Sequence, residues 1–452
     1  MGKPFLKNNL NKAIFIILLL GLVVNVFYLS KTPYNVRSHD VDGHIHYIEH
    51  LAKNYDFPHN CWECDQAPFY YILAAAIYKV SVLFGISDKG EIYHILQVFS
   101  VFLFSIFSAV SILILKTVFF ENKQKEIKNT GLLKNFIFFL TSSLFVFWPT
   151  NIMHSVRITN DILFYVFYSS VILFLIRWLD GNDNKNLYFS ILFSFLAFIT
   201  KAHGLLAFVL VGICIIFSFI IDEKRSEKFK FYFKSAGILL IVFLIGIIGS
   251  RVGARIIDKI KGQKQKENYL VVNMSGLNNG LFVENKVRNY AYFDAKTFLT
   301  EPYVSTWDDK YGRQYFWNFL LKNSLFGEFF FNGAIAENIA IGISALSLMM
   351  IFWIVGIMLF SVKESLKNNF VLKVNAILLL SVFMAFRIIL SINGDFRFIL
   401  PILISLCSFV GIGILEYRRR GLKNLEYIGY GISISFIILS LLFFTFAVFL
   451  QK

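Results

Sequence analysis

Residues 13–29 read AIFIILLLGLVVNVFYL, an uncharged run with Asn25 as its one strongly polar side chain. With its flanks, over residues 12–31, it makes a helix long enough to cross a bilayer core of about 30 Å. Lys3, Lys7 and Lys12 precede it and no small-residue cleavage site follows, so it reads as a retained first span entered from the cytoplasmic side. Comparable runs recur at 92–119, 135–151, 161–179, 187–200, 204–221, 235–250, 333–362, 372–392, 398–417 and 428–450. Hydrophobic residues make up 57% of the chain and charged residues 16%, well below the roughly one quarter of a soluble domain. The fold class that follows is an all-α polytopic membrane protein with about eleven transmembrane helices.

A twelfth apolar stretch, PFYYILAAAIYKVSVLFG at 68–85, carries Lys79 and decides the topology. If it does not cross, Lys123, Lys125 and Lys128, Lys224 to Lys234, and Arg418 to Arg420 all fall on one side. The short loops opposite then hold Arg157, Lys201 and Arg397. If it does cross, every later loop inverts. Basic loops favour the cytoplasm, which selects the first arrangement. Residues 32–91 then form one outer segment in which 68–85 lies in the interface, and residues 251–331 form a second, a cap of short helices. The domain organisation is a membrane module at 1–250, the outer cap at 251–331 and further transmembrane helices at 332–452. The net charge of +15 is explained by the cytoplasmic loops, and no polar stretch is large enough to bind nucleic acid.

The first outer segment opens with SHDVDGHIHYIEHL at 38–51. Asp40 and His44, Asp42 and His46, and His46 and His50 are each four apart and share helix faces. Acids outnumber bases eight to four across residues 32–91. An acid beside the membrane suits a general base, with Asp40 and Asp42 both eligible, or a divalent metal held by Asp42, His46 and Glu63. Cys61 and Cys64 form a C-x-x-C that reads as a disulfide in an oxidising compartment, with a metal site as the alternative. Other ionisable groups gather on the same predicted side. WPTNIMHSVRITND at 148–161 contributes Arg157 and the second acid, Asp161, with Thr159 or Asn160 as helix caps. TKAHG at 200–204 contributes Lys201 and His203. NGDFRFILP at 393–401 contributes Asp395 and Arg397, and Arg387 lies within an apolar run.

The order D-x-x-x-H-x-x-Y (Asp40, His44, Tyr47), a spacer, then an acid and Gln-Ala-Pro-Phe-Tyr-Tyr resembles the first outer loop of GT-C glycosyltransferases. The nearest branch is the protein O-mannosyltransferase and aminoarabinose transferase group. The Thr-Lys-x-x-Gly run at 200–204 and the Arg-aromatic-x-x-Pro run at 397–401 are similar to motifs of the same group. Val41 stands where that group often has the second acid of a pair, and Ala67 replaces the first of two prolines. The resemblance implies transfer of a sugar, with inversion, from a polyprenyl-phosphate donor to a glycan, lipid or protein acceptor outside the cytoplasm. It implies Asp40 or Asp42 as base and Asp161 as its partner. Donor phosphate would meet Lys201, Arg397, His203 and Arg157, in a groove lined by His44, Tyr47, Gln66, Tyr70 and Tyr71. Some members bind a divalent metal ion. The expected location is a bacterial inner membrane, with the site on the periplasmic face. A polysaccharide polymerase or ligase using a polyprenyl-pyrophosphate carrier, and a transporter of lipid-linked glycans, are the competing classes.

Overall fold

The computed structural model describes residues 3–58, 63–121, 131–181, 183–249, 279–360 and 369–450. Among them every regular element is helical, and one isolated antiparallel bridge joins Phe282 and Ile392. Eight helices among the described residues are long and apolar enough to cross a membrane: Leu10–Lys31, Lys89–Phe120, Asp161–Gly181, Ala202–Ile221, Phe229–Gly249, Ala334–Gly356, Phe370–Leu390 and Lys423–Phe449. The other three predicted runs are helical as well, at Gly131–Val146, Asn184–Thr200 and Ile402–Arg419. The first two have 16 and 17 residues, or about 24–26 Å of rise, just short of the hydrocarbon thickness. The third carries Glu416, Arg418 and Arg419 in its last turns. The stretch at 68–85 forms a 15-residue helix, Phe69–Leu83.

Large apolar side chains point outward in numbers no soluble protein tolerates. Phe15, Phe27, Ile216, Ile220, Phe233, Ile248, Phe352 and Ile377 are all at least half exposed. A surface of this kind is stable only against lipid tails, where each helix satisfies its own backbone hydrogen bonds. The chain is an all-α membrane protein.

Two compact units are assembled from non-contiguous stretches. The first comprises Met1–Lys31, Ser111–Ser155 and Asn279–Lys452; the second comprises Thr32–Val110 and Val156–Asn278. In the second unit α1 (Val41–Asn54) packs on α2 (Phe69–Leu83), and α3 (Asp161–Gly181) forms a close hairpin with α4 (Asn184–Thr200). Ser190 and Ser194 are fully buried in α4, small enough to admit α3 at short range, and Phe174 stacks on Phe193 with centroids 5.5 Å apart. Helices α5 (Leu205–Ile221) and α6 (Phe229–Gly249) also belong to the unit, as does the helix Lys89–Lys116 as far as Val110.

In the first unit, Ile402–Arg419 lies so close to Gly131–Val146 that a Cβ at Gly411 would come within 2.8 Å of Thr141 Cγ2. The described part of the predicted cap belongs to this unit. It consists of short helices at Val287–Ala291, Ala295–Thr300 and Phe316–Phe326, tied by polar side chains. Asn318 accepts from Asp294 N–H and donates to Asp294 O, both under 3 Å. Lys322, fully buried, donates to the carbonyls of Thr297 and Tyr311. Arg387, buried at the end of Phe370–Leu390, donates to Asn393 Oδ1 and Gln314 O and lies over the Tyr290 ring. It anchors this segment to the span, which is why an arginine is tolerated in an apolar run. Residues 251–278 of the predicted cap lie outside the described residues.

Candidate functional site

The second unit brings four chain segments together at one end of its helices. The first is the turn before α1. Arg37 and Asp40 both adopt left-handed backbone, at φ 53° and 61°. Two such residues in so short a turn store strain that the surrounding contacts must hold. Asp40 sits at the α1 N-terminus without capping it through its side chain, while its carbonyl accepts from His44 N–H. Asp40 is half-buried, and Asp42, one turn position on, is exposed.

The second segment is the start of α2. His44 Nδ1 and the Tyr71 hydroxyl share a 2.7 Å hydrogen bond, and Tyr47 stacks on Tyr71 with centroids 3.9 Å apart and planes 10° from parallel. His44, Tyr47, Tyr70 and Tyr71 are all buried. Burial, then the nearby Glu63 carboxylate, push the Tyr71 hydroxyl far above its ordinary range, with Asp161 adding to the effect. Burial likewise raises Tyr70, which also feels Asp161. Both phenols therefore keep their protons, and the pair fills the space between the α1 histidine and the α3 acid.

The third and fourth segments are the α3 N-terminus and the α4 C-terminus. Asp161 and Lys201, both buried, form an ion pair between Oδ1 and Nζ. Thr159 donates its hydroxyl to Asp161 Oδ2 at 3.0 Å and accepts from the Asp161 N–H, so the predicted cap residue also holds the acid. Asn160 does not cap. Its side-chain amide donates to Gln66 Oε1 at 3.1 Å and to Thr200 O at 3.2 Å. Arg157 donates to His39 O, tying the α3 entry to the residue before Asp40. Gln97 donates to the carbonyls of Thr32 and Val156.

Gly204 explains the turn that presents Lys201. A Cβ there would sit 2.2 Å from Phe198 N and 2.3 Å from Ala197 C. Only glycine lets the chain fold back onto α4 so tightly, leaving Lys201 extended at the helix end beside Asp161. His203 is half-buried in the same turn.

Several expected residues meet in this cluster: Asp40, His44, Tyr47, Gln66, Tyr70, Tyr71, Arg157, Asp161 and Lys201. Gln66 serves as an anchor for Asn160. Lys201 is engaged by a carboxylate, so any phosphate would compete with Asp161 for it. Arg397 belongs to the other unit, where it is buried and paired with Asp395 at 3.2 Å. The metal set is not assembled. Asp42 and His46 are exposed on α1, whereas Glu63 is buried against Gly43, where a Cβ would meet Glu63 Cγ at 2.8 Å. Among the described residues no three His, Cys, Asp or Glu side chains are placed to hold a metal ion. Cys64 is buried and disulfide-bonded. Cys61, its expected partner, lies outside the described residues.

Asn160, Thr159 and Gln97 were not separable from ordinary cap and span residues in the sequence. Gln97 alone carried a signal, as an amide within an apolar run. No protein-family model matches the chain, and no curated protein matches it.

Proposed function

We propose that this protein is a membrane glycosyltransferase that transfers a sugar from a polyprenyl-phosphate carrier to an acceptor outside the cytoplasm. The observation that supports it most is the hydrogen-bonded assembly of the second unit. Arg157 to His39, Asn160 to Gln66 and Lys201 to Asp161 join segments far apart in sequence around two acids and a buried lysine. Those segments carry the motifs that resemble the GT-C group. Such an assembly is not needed to hold apolar helices together, and buried ionisable groups at span ends belong more often to sites than to packing.

In the proposed reaction Asp40 takes the proton of the acceptor nucleophile as that atom bonds the anomeric carbon. The bond from that carbon to the phosphate oxygen breaks, and the lipid phosphate leaves with the electron pair. Charge grows on the phosphate, and Lys201, a buried cation of the unit, would offset it. An arriving phosphate draws Lys201 from Asp161, so donor binding and release of the second acid are coupled. Of the two first-loop acids, Asp40 is favoured because it is half-buried on a strained turn, next to the residue that Arg157 holds. Counting the three shorter helices as spans gives eleven crossings. The positive-inside distribution then puts this end of the unit outside an inner membrane.

The test is sugar transfer from synthetic polyprenyl-phosphate donors in proteoliposomes. Asp40→Asn is expected to lower turnover by about 10²–10⁴-fold, the usual range for a general base, and Asp42→Asn to leave most of it. If wild type consumes no such donor but joins or moves a lipid-linked oligosaccharide, the ligase or transporter class replaces this one.

A further inference from the structure

At the opposite end of the same helices, about 31 Å away along the 21 residues of α3, lies a cavity of about 230 Å³. Trp178, Asn184, Ser218, Lys228, Phe231 and Tyr232 line it, drawn from α3, α4, α5 and the entry to α6. The polar groups on these walls are an indole N–H, an amide, two hydroxyls and an ammonium. None is a carboxylate. Asp222 stands behind them, its Oδ2 accepting from Lys228 Nζ at 3.0 Å and from the Tyr232 hydroxyl at 2.9 Å. Ser218 Oγ lies 3.0 Å from the same hydroxyl. Tyr232 spends its one proton on Asp222, and the same carboxylate fixes the Lys228 ammonium in place before any ligand arrives.

The rim is basic. Residues 222–234 contain Lys224, Arg225, Lys228, Lys230 and Lys234 against Asp222, Glu223 and Glu227. It is also aromatic, with Phe229 and Phe233 exposed. Apolar helices end here, at Gly181, Ile221 and Phe229, so the cavity stands where spans leave the hydrocarbon. Aromatic and basic residues at that depth meet lipid headgroups, and juxtamembrane lysines draw anionic ones.

We infer that this cavity binds the phosphate-bearing headgroup of an anionic phospholipid. The phosphate would meet the Lys228 ammonium and the Asn184 amide, and the acyl chains would lie along Phe229 and Phe233. The exposed apolar flank favours a lipid over a free anion, because a soluble phosphate gains nothing from it. Lys228 keeps nearly half its side chain open to the rim, so an incoming phosphate reaches it without unfolding the turn.

The full chain, delipidated in detergent, should be titrated with short-chain phosphatidylglycerol, phosphatidylcholine and inorganic phosphate. Thermal midpoint and bound lipid by native mass spectrometry are the readouts. Phosphatidylglycerol alone is expected to bind and raise the midpoint. Lys228→Gln removes a charge-assisted bond, and Asn184→Asp adds an acid to the wall at an exposed position that tolerates change. Each should raise the half-saturating concentration by about tenfold or more. Equal binding of phosphatidylcholine, unchanged binding in folded Asn184→Asp, or a full response to inorganic phosphate would overturn the inference. Binding is read here, not turnover, so the outcome is independent of the glycosyl-transfer proposal.

Discussion

Replacing Lys201 with methionine tests whether the buried ion pair organises the candidate site. The two side chains are 7% and 3% exposed, so the pair has little solvent to fall back on. Removing the ammonium leaves the Asp161 carboxylate in place with the Thr159 hydroxyl on one oxygen. Breaking a buried pair from one side costs about 3–5 kcal/mol, because the remaining charge loses its closest opposite charge in a desolvated setting. Replacing both partners by apolar residues is close to neutral, since the desolvation penalty disappears with the charges. Lys201→Met should therefore lower stability by about 3–5 kcal/mol, and Asp161→Leu in the same chain should restore most of it. The surface pair Lys53–Glu49, with Lys53 57% exposed, is the control, and Lys53→Met should cost at most about 1 kcal/mol. Equilibrium unfolding in mixed micelles, followed by tryptophan fluorescence, measures wild type, the singles Lys201→Met, Asp161→Leu and Lys53→Met, and the double variant. A Lys201→Met cost below about 1 kcal/mol, or a double variant as unstable as the sum of its singles, would refute the claim that the pair is a coupled buried unit.

Three further outcomes are expected. Burial pushes the Lys322 ammonium down to about 8, against the opposing pull of Glu301 and Asp294. Unfolded lysine titrates near 10.4, so the unfolded chain binds more protons between those values, and stability should rise with pH across that window by about 3 kcal/mol. Below pH 8 none of that gain is present. Lys322→Gln should abolish the slope, and a slope that persists in the variant would show that another group causes it. Arg387→Leu leaves Asn393 and the Gln314 carbonyl without their charged donor, at a cost on the order of 3 kcal/mol. Limited proteolysis should then cut more readily between 279 and 331, and unchanged cleavage would count against the anchoring role. Gly204→Ala should cost about 1–3 kcal/mol by overpacking against Ala197 and Phe198, measurable in the same unfolding assay. It should also reduce turnover, because Lys201 moves with the turn.

How far the site could be read from sequence varied with the kind of signal. Asp161 and Lys201 stood out because charges at the ends of apolar runs are conspicuous, and both proved to be buried partners. Gln66 and Lys201 were singled out as groove and phosphate residues, but their contacts were not legible. Gln66 holds Asn160, and Lys201 holds Asp161, facts that depend on which loops meet. Asp42, His46 and Glu63 looked like a ligand set by proximity along the chain. Helix periodicity turns the first two outward, while the loop tucks Glu63 inward against Gly43. Arg387 stood out because charge in an apolar run is costly, and its partners Gln314 and Asn393 account for that cost.

The sequence by itself determined the helical membrane class and where apolar helices form. Twenty-residue apolar runs admit no other solution in a bilayer, since each backbone must satisfy its own hydrogen bonds. It also determined the candidate loops, because charge bias and turn chemistry are local. Tertiary structure alone decided which helices group together, so that Met1–Lys31 falls in one unit with Asn279–Lys452 and not with the stretch that follows it. It alone decided that Arg157 meets His39, that Asn160 bridges Gln66 and Thr200, and that Asp161 takes Lys201. Those contacts join residues tens to more than a hundred positions apart. They depend on helix packing set by small side chains such as Ser190, Ser194 and Gly204, whose meaning appears only when a neighbour is in place.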